Sequence, residues 1–398
     1  MRGYDPFAPE VMREPLPFYR ELRASAAAHP LPQYDAWALP RFDDVWQVLN
    51  DRERFSIADG PIFARDRLLT PNDGPPACPV ERPVRSFSML DPPDHTRLRR
   101  AVLAPFLPGA VAEWADATRA HVRQLLDDLV PRGHFDAVAD LGSPVATVAT
   151  CRLLGFPAAD HEQVVRLVNT STRRDPDTPG LSDEGRAAQA ALHDYVCGFV
   201  ADARGHHAVV DQAAAFATVD GAPLTDLEIA VQLTTLMIGG VETLPKIVAG
   251  GILRLARHPE PRAWLAADPA RVANGFEEIM RLDAVLQWVG RTVLVDTEVA
   301  GVPMRAGQRV FLLLVSANHD EREFPDPERF DVRRGFARTL VFGHGTHFCI
   351  GAHAARLQGR ILFEELLARI PQYTVDEAGV ERPPSEFQVG YTALPVCC

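Results

Sequence analysis

Phe342-Gly343-His344-Gly345-Thr346-His347-Phe348-Cys349-Ile350-Gly351 is the stretch on which the reading of this 398-residue chain turns. It sets one cysteine among glycines and aromatics, then runs into a periodic segment that predicts an amphipathic helix over about 350–369. A thiolate needs help to persist at neutral pH, and each part of the segment offers some. Gly343, Gly345 and Gly351 let the backbone turn tightly and approach a flat ligand. The expected helix aims its free N–H groups and positive dipole end at the sulfur. Phe342 and Phe348 screen the sulfur from water, and His347 adds a cationic or hydrogen-bonding tip. A buried, inert cysteine is the ordinary fate of the residue type, but it leaves the other nine positions unexplained.

Upstream, the periodicity predicts a helix over about 225–257 that carries Gly239-Gly240-Val241-Glu242-Thr243-Leu244-Pro245. Two glycines inside a helix cost about 1 kcal/mol each against alanine, and close passage over a flat cofactor would offset that. Pro245 has no N–H to give the Val241 carbonyl, so a local bulge beside Glu242 and Thr243 is expected. Glu278-Ile279-Met280-Arg281 sets an acid and a base one helical turn apart, alone no more than a surface bridge. Pro327-Glu328-Arg329-Phe330 follows in a meander over 322–340. Near the other end, His95 and Arg99 lie one turn apart after Asp91-Pro92-Pro93-Asp94, and two such groups make most sense facing an anion.

Taken in chain order, these five patterns resemble, across essentially the whole sequence, the bacterial soluble class I cytochrome P450 monooxygenases. The resemblance implies haem b, iron protoporphyrin IX, with Cys349 as axial ligand to the iron and Phe342, Gly351 and Gly239 against the cofactor. It places His95, Arg99, Arg291 and His347 on the haem propionates. Glu278, Arg281 and Arg329 become an acid–arginine–arginine network that locks the scaffold of the cysteine loop. Glu242 and Thr243 become the acid–alcohol pair that supplies protons for O–O cleavage, with Leu244 where the family often has a second hydroxyl. Substrate contacts are expected in the 60–85 loop and the 165–190 connection, and at Leu236, Leu286, Trp288, Val289 and Phe387. Arg65, Arg67, Arg82 and Arg85 in or beside the first loop could meet an anionic substrate.

The implied fold is mainly α with a small β portion, the helical triangular prism of that family, as one catalytic domain over residues 1–398. The periodicity agrees: helices are predicted near 94–105, 109–131, 143–155, 160–171, 183–206 and 269–282, and a β region near 291–311. Strand character is also read at Ala36-Trp37-Ala38-Leu39 and over 372–394, with a proline-rich segment at 59–84 and a turn-rich one at 171–183. A hydrophobic content of 46% supplies a substantial core. A net charge of −12 argues against nucleic-acid binding. Lys246 is the only lysine, which reads as codon bias. Cysteines 78, 151, 197, 349, 397 and 398 show neither disulfide spacing nor the C-x-x-C-H of covalently attached haem. Without a secretory leader or an apolar run of about 18 residues, a cytoplasmic monomer with no membrane partner is expected.

The activity implied is insertion of one oxygen atom from O2 into a small hydrophobic molecule. The electrons would come from a ferredoxin and its NAD(P)H-dependent reductase, docking on a basic patch of Arg97, Arg100, Arg356 and Arg360. Two alternatives stay open: a peroxygenase driven by hydrogen peroxide, and a non-catalytic haem sensor or carrier.

Overall fold

A computed structural model describes residues 4–70, 83–172, 174–175, 178–215, 221–382 and 384–398. Arg82, Cys78 and most of the proline-rich loop lie outside the described residues. The chain is predominantly helical with a small β portion, as the periodicity predicts. Nine helices position the site: α1 (Phe42–Asn50), α2 (Asp94–Val102), α3 (Ala115–Leu129), α4 (Ser143–Leu154), α5 (His161–Ser171), α6 (Asp183–Ala203), α7 (Asp226–Arg257), α8 (Val272–Leu282) and α9 (Ala352–Arg369).

The central element is α7, 32 residues long and in contact with α4, α5, α6, α8 and α9. Its start is fixed by a capping box in which Thr225 accepts from the Glu228 N–H and Glu228 returns the bond to the Thr225 N–H. Arg254 and Arg257 in the last turn suit the negative end of its dipole. The N-terminal half buries Ile229, Leu233, Met237 and Val241 against Leu154, Val164 and Val196. The C-terminal half buries Leu244, Ile247, Val248 and Ile252 in a second cluster with Leu126, Phe276 and Phe363. At roughly 1.5–3 kcal/mol for each fully buried side chain of this size, these two faces outweigh the propensity cost of the glycines. By length and composition α7 could cross a bilayer, but 72% of its most apolar stretch is buried inside the protein.

The expected bulge at Pro245 is absent, because α7 is helical through it. The accommodation lies on the neighbouring π-helical turn Ala137–Gly142. A Cβ at Gly142 would stand 2.8 Å from Pro245 Cα, so only glycine allows the approach.

The β portion is a sheet of β1 (His29–Leu31), β2 (Ala36–Leu39), β3 (Phe55–Ser56), β4 (Val289–Val293) and β5 (Arg309–Leu312), in spatial order β1-β2-β5-β4-β3. Among the described strands, β2 and β5 alone pair in parallel. Arg291 sits opposite Val310 in the register of β4 and β5, which takes a cation into the interior. A hairpin, Thr297–Val299 with Val302–Met304, lies between β4 and β5, one strand pair more than the sequence pattern suggested. The expected terminal strands shrink to Thr374–Val375 and Pro395–Cys397, paired with each other and with His134–Asp136. In the turn-rich segment, Arg174–Asp175 pairs with Thr178–Leu181.

Candidate active site

The cysteine loop hangs between α1 and α9. The Cys349 N–H donates to the Phe342 carbonyl over 2.9 Å, and the Phe348 N–H to Gly345 over 3.1 Å, so the loop folds back on itself. Gly345 has φ +70°, a region costing an L-residue roughly 1–2 kcal/mol. A Cβ there would also lie 2.6 Å from the Leu49 carbonyl of α1. His344 stacks on Trp46 of α1 with 3.5 Å between ring centroids, a second anchor. Gly351 differs from expectation. Its φ is −85°, so the backbone does not demand glycine, and its contribution is the N–H it gives to the Cys349 sulfur.

Burial pushes the Cys349 thiol up, while the Gly351 N–H, Arg99 and Arg356 pull it back down. The residue nevertheless has accessible surface, so the space it meets is an interior one. Phe342 and Phe348 meet edge to face at 6.1 Å, and the Arg356 guanidinium lies 4.6 Å over Phe342. Gly239 is likewise accessible in the middle of α7, and a Cβ on it would meet nothing within 4 Å.

Four groups converge beside the loop. Arg99 of α2 donates to the Phe348 carbonyl over 2.7 Å. His95, one turn earlier, packs its ring 4.0 Å from that of His347. Both ring nitrogens of His95 and Nε2 of His347 are buried without a hydrogen-bond partner among the described residues. Burial, then Arg99 and Arg291, push His95 down to about 4. Burial, then His95, Arg291 and Arg99, push His347 down to about 2, which favours the hydrogen-bonding tip over the cationic one of the two expected there. Arg291 is 5% exposed and pushed down to about 10 by burial, with the charge of Asp91 opposing. Buried cations and orphaned imidazoles with no facing carboxylate are costly, and a ligand with two carboxylates would satisfy them. A metal at the sulfur would likewise convert the thiol to thiolate. The residues therefore fit haem.

The acid and the alcohol on α7 go different ways. Thr243 Oγ1 donates to the Gly239 carbonyl over 3.1 Å and lies on the accessible side. Glu242 is 6% exposed; Lys246 Nζ reaches its Oε1 at 2.5 Å, and the Gln388 amide donates to its Oε2. Among the described residues, the carboxylate next to Thr243 in sequence is thus engaged elsewhere.

Other expectations need correction. Glu278 and Arg281 are paired and fully buried, but the second arginine is Arg334, and Arg329 is exposed. Trp288 is not a pocket wall. It is fully buried against Phe63, Phe311 and Phe7, and its Nε1 donates to the Glu386 carbonyl. Phe387, 7% exposed, belongs to the same cluster, with Leu286 packed against it. Leu236 lies in the core beneath α7, while Val289 is half-buried at the start of β4. In the basic patch Arg356 is held by Glu277 and Arg360 by Glu364, which leaves Arg97 and Arg100 exposed.

Sequence reasoning also missed a clamp. Glu228 accepts from the Val84 N–H, and Gln232 accepts from the Phe87 N–H and donates to the Arg85 carbonyl. These buried side chains tie the end of the proline-rich loop to α7. Their polarity on the apolar face of a predicted core helix was the available signal.

The family model for cytochrome P450 matches residues 272–392. Cytochrome P450 130 of Mycobacterium tuberculosis is 32% identical over 93% of this chain and 92% of its own length. A methyl-branched lipid omega-hydroxylase of the same organism is 33% identical, over 90% of this chain and 83% of its own. Among solved structures, cytochrome P450 CYP109Q5 from Chondromyces apiculatus superposes with a TM-score of 0.84 at 29% identity, covering 99% of this chain and 98% of the other.

Proposed function

The chain belongs to the cytochrome P450 family and is a bacterial haem monooxygenase, and from that premise we propose that it hydroxylates a small hydrophobic molecule, using haem b and electrons from a ferredoxin and its NAD(P)H-dependent reductase. The balance is substrate plus O2, two electrons and two protons, giving oxygenated product and water. Bound haem supplies the redox-active iron at which O2 is cleaved.

The observation that carries this reading is the buried cluster of His95, Arg99, Arg291 and His347, ion-paired with no carboxylate among the described residues, beside an accessible cysteine in the interior. In the proposed role Cys349 ligates the iron and the Gly351 N–H steadies its sulfur. The four basic groups hold the haem carboxylates, and Phe342 and Phe348 keep water from the thiolate. Thr243 holds and passes protons at its Oγ1, and Glu242 supplies them only once its carboxylate leaves Lys246 and Gln388. Glu278 and Arg281, with Arg334 rather than Arg329, hold the scaffold under the cysteine loop. Arg97 and Arg100 are the exposed cations available to an acidic ferredoxin. The same reading makes the protein a cytoplasmic monomer folded as one catalytic domain.

The test is the absorption spectrum of the reduced protein under carbon monoxide, for wild type and Cys349→Ser. A strongly red-shifted Soret band in the wild type and its loss in the variant are expected. An unshifted band that ignores Cys349 overturns the reading.

A further inference from the structure

Glu228 and Gln232, two buried polar side chains of α7, hold the backbone of residues 84–87. Polar groups so deep are costly unless they are bonded, and three of their bonds go to this one short segment. The side chain that the segment carries is Arg85. It is exposed, its Nη1 donates to the Ala58 carbonyl over 2.8 Å, and no carboxylate among the described residues pairs with it. A guanidinium presents five N–H donors in a planar fork, so the Nε and Nη2 edge stays available in the geometry that matches a carboxylate. Arg65, an equal candidate in sequence, is engaged instead: it donates to the Tyr34 hydroxyl, which donates to Asp5.

Arg85 lies across the end of a space between two walls. Its carbonyl is bonded to α7 and its guanidinium to Ala58. Three residues on, the Pro61 carbonyl accepts from the Gly290 N–H of β4 over 2.8 Å. On the α7 wall, Thr235, Gly239 and Thr243 follow at four-residue spacing and so share a face. All three keep accessible surface, whereas Leu233, Leu236, Met237 and Val241 around them are buried. The Thr235 hydroxyl is turned back to the Val231 carbonyl over 3.0 Å, which leaves its methyl group to the space. On the β4 wall, Val289 is half-buried. From Gln232, under Arg85, to Thr243 is about three helical turns, or roughly 16 Å. A fixed cation thus stands at one end of an apolar stripe and Thr243 at the other.

We propose that Arg85 binds a carboxylate at one end of the substrate, which is an elongated aliphatic acid oxidised near its far end. The inference rests on the monooxygenase reading and deepens it by naming a substrate class. Bonds of ~1.5 Å at ~111° advance a chain by about 1.25 Å per carbon, so the span accommodates roughly a dozen carbons. The reaction balances as before: a C–H bond becomes C–OH, O2 with two electrons and two protons supplies that oxygen and one water, and the carboxylate is unchanged. Holding the backbone of Arg85 in place beforehand lowers the ordering cost of binding.

The experiment measures, by calorimetry on the purified protein, the affinity for dodecanoic acid and for its methyl ester. Wild type is compared with Arg85→Leu, Arg85→Lys and Arg67→Leu, the last removing an exposed cation from the same region. The wild type should bind the acid at least about tenfold more tightly than the ester. Arg85→Leu should weaken the acid roughly ten- to hundredfold and leave the ester unchanged, as loss of hydrogen bonds to a charged group requires. Arg85→Lys should restore part of the loss, since an ammonium keeps the charge without the fork. Arg67→Leu should change neither affinity. Haem transfer to apomyoglobin from Arg85→Leu should match the wild type. No preference for the acid in the wild type overturns the proposal. An equal loss in Arg67→Leu does so too, because it marks general electrostatic attraction. Faster haem transfer from Arg85→Leu would assign Arg85 to the cofactor's carboxylates instead, and equally overturns it. Arg85 is exposed, so its variants should fold, and thermal unfolding checks that. Failure of the monooxygenase reading would look different: no oxidised product from any acid, with calorimetry still deciding whether Arg85 holds a carboxylate.

Discussion

Arg334 reaches Glu278 from outside α8, its Nε 3.3 Å from Oε1, while its other nitrogens donate to the carbonyls of Pro325, Asp326 and Arg329. Glu278 also accepts two bonds from Arg281 and one from the Asp331 N–H. A single buried carboxylate thus ties α8 to the meander, and Arg281 extends the tie to the Asn318 carbonyl. Asn318 in turn accepts from the Leu340 N–H, two residues before the cysteine loop begins.

This arrangement separates two arginines in the same meander. Arg334→Leu leaves part of a buried charge uncompensated and should cost about 3 kcal/mol in urea unfolding. Arg329→Ala, at an exposed site, should stay within about 0.5 kcal/mol. Equal effects would refute the assignment.

Arg291 gives a prediction with opposite signs in two states. Without haem, its buried charge is a burden, so haem-free Arg291→Leu should be more stable than wild type by about 1 kcal/mol or more. With haem, the lost partner for a carboxylate should speed haem transfer to apomyoglobin roughly tenfold, as about 1.4 kcal/mol of lost interaction requires. A variant stabilised in both states would remove Arg291 from the haem site.

Thr243→Ala removes the hydroxyl on the accessible side of α7 while leaving the helix intact. Product formation should fall by about 10²-fold, with the electrons appearing as peroxide. Retained full coupling would take Thr243 out of proton delivery.

His319, 2% exposed, is held by the Val315 carbonyl; burial first, then Arg281, Arg254 and Arg23, push it down to about 3. An unfolded histidine takes a proton near its ordinary value of about 6.5. Between those two values the unfolded chain binds a proton that the native state refuses. The stability associated with neutral His319 is therefore complete above about pH 6.5 and drains away toward pH 3. Its share of the slope is at most about 1.4 kcal/mol per pH unit. His319→Gln should flatten stability against pH from 7 to 5 by about that amount; an unchanged slope would mean His319 is protonated in the native state.

The ten residues around Cys349 and the other motifs in chain order carried the family resemblance that implied the fold class, while the periodicity by itself gave a mainly helical chain with a small β portion, because both depend on local spacing along the chain. Local spacing also put His95 and Arg99 one turn apart on one helix and paired Glu278 with Arg281, but by itself it read that second pair as a surface bridge, and its burial is a tertiary fact. Arg334 was not legible. Its distance from Glu278 is set by how the meander turns back on α8, and Arg329 offers the same charge within a more recognisable motif. Trp288 and Phe387 read equally well as pocket walls or core until the sheet closes over them. Glu242 and Thr243 are adjacent in sequence, yet only tertiary packing sends one toward Lys246 and Gln388 and leaves the other on the accessible side. Local periodicity decides which helix face a residue occupies; which distant segment meets that face is decided by packing between elements far apart in the chain.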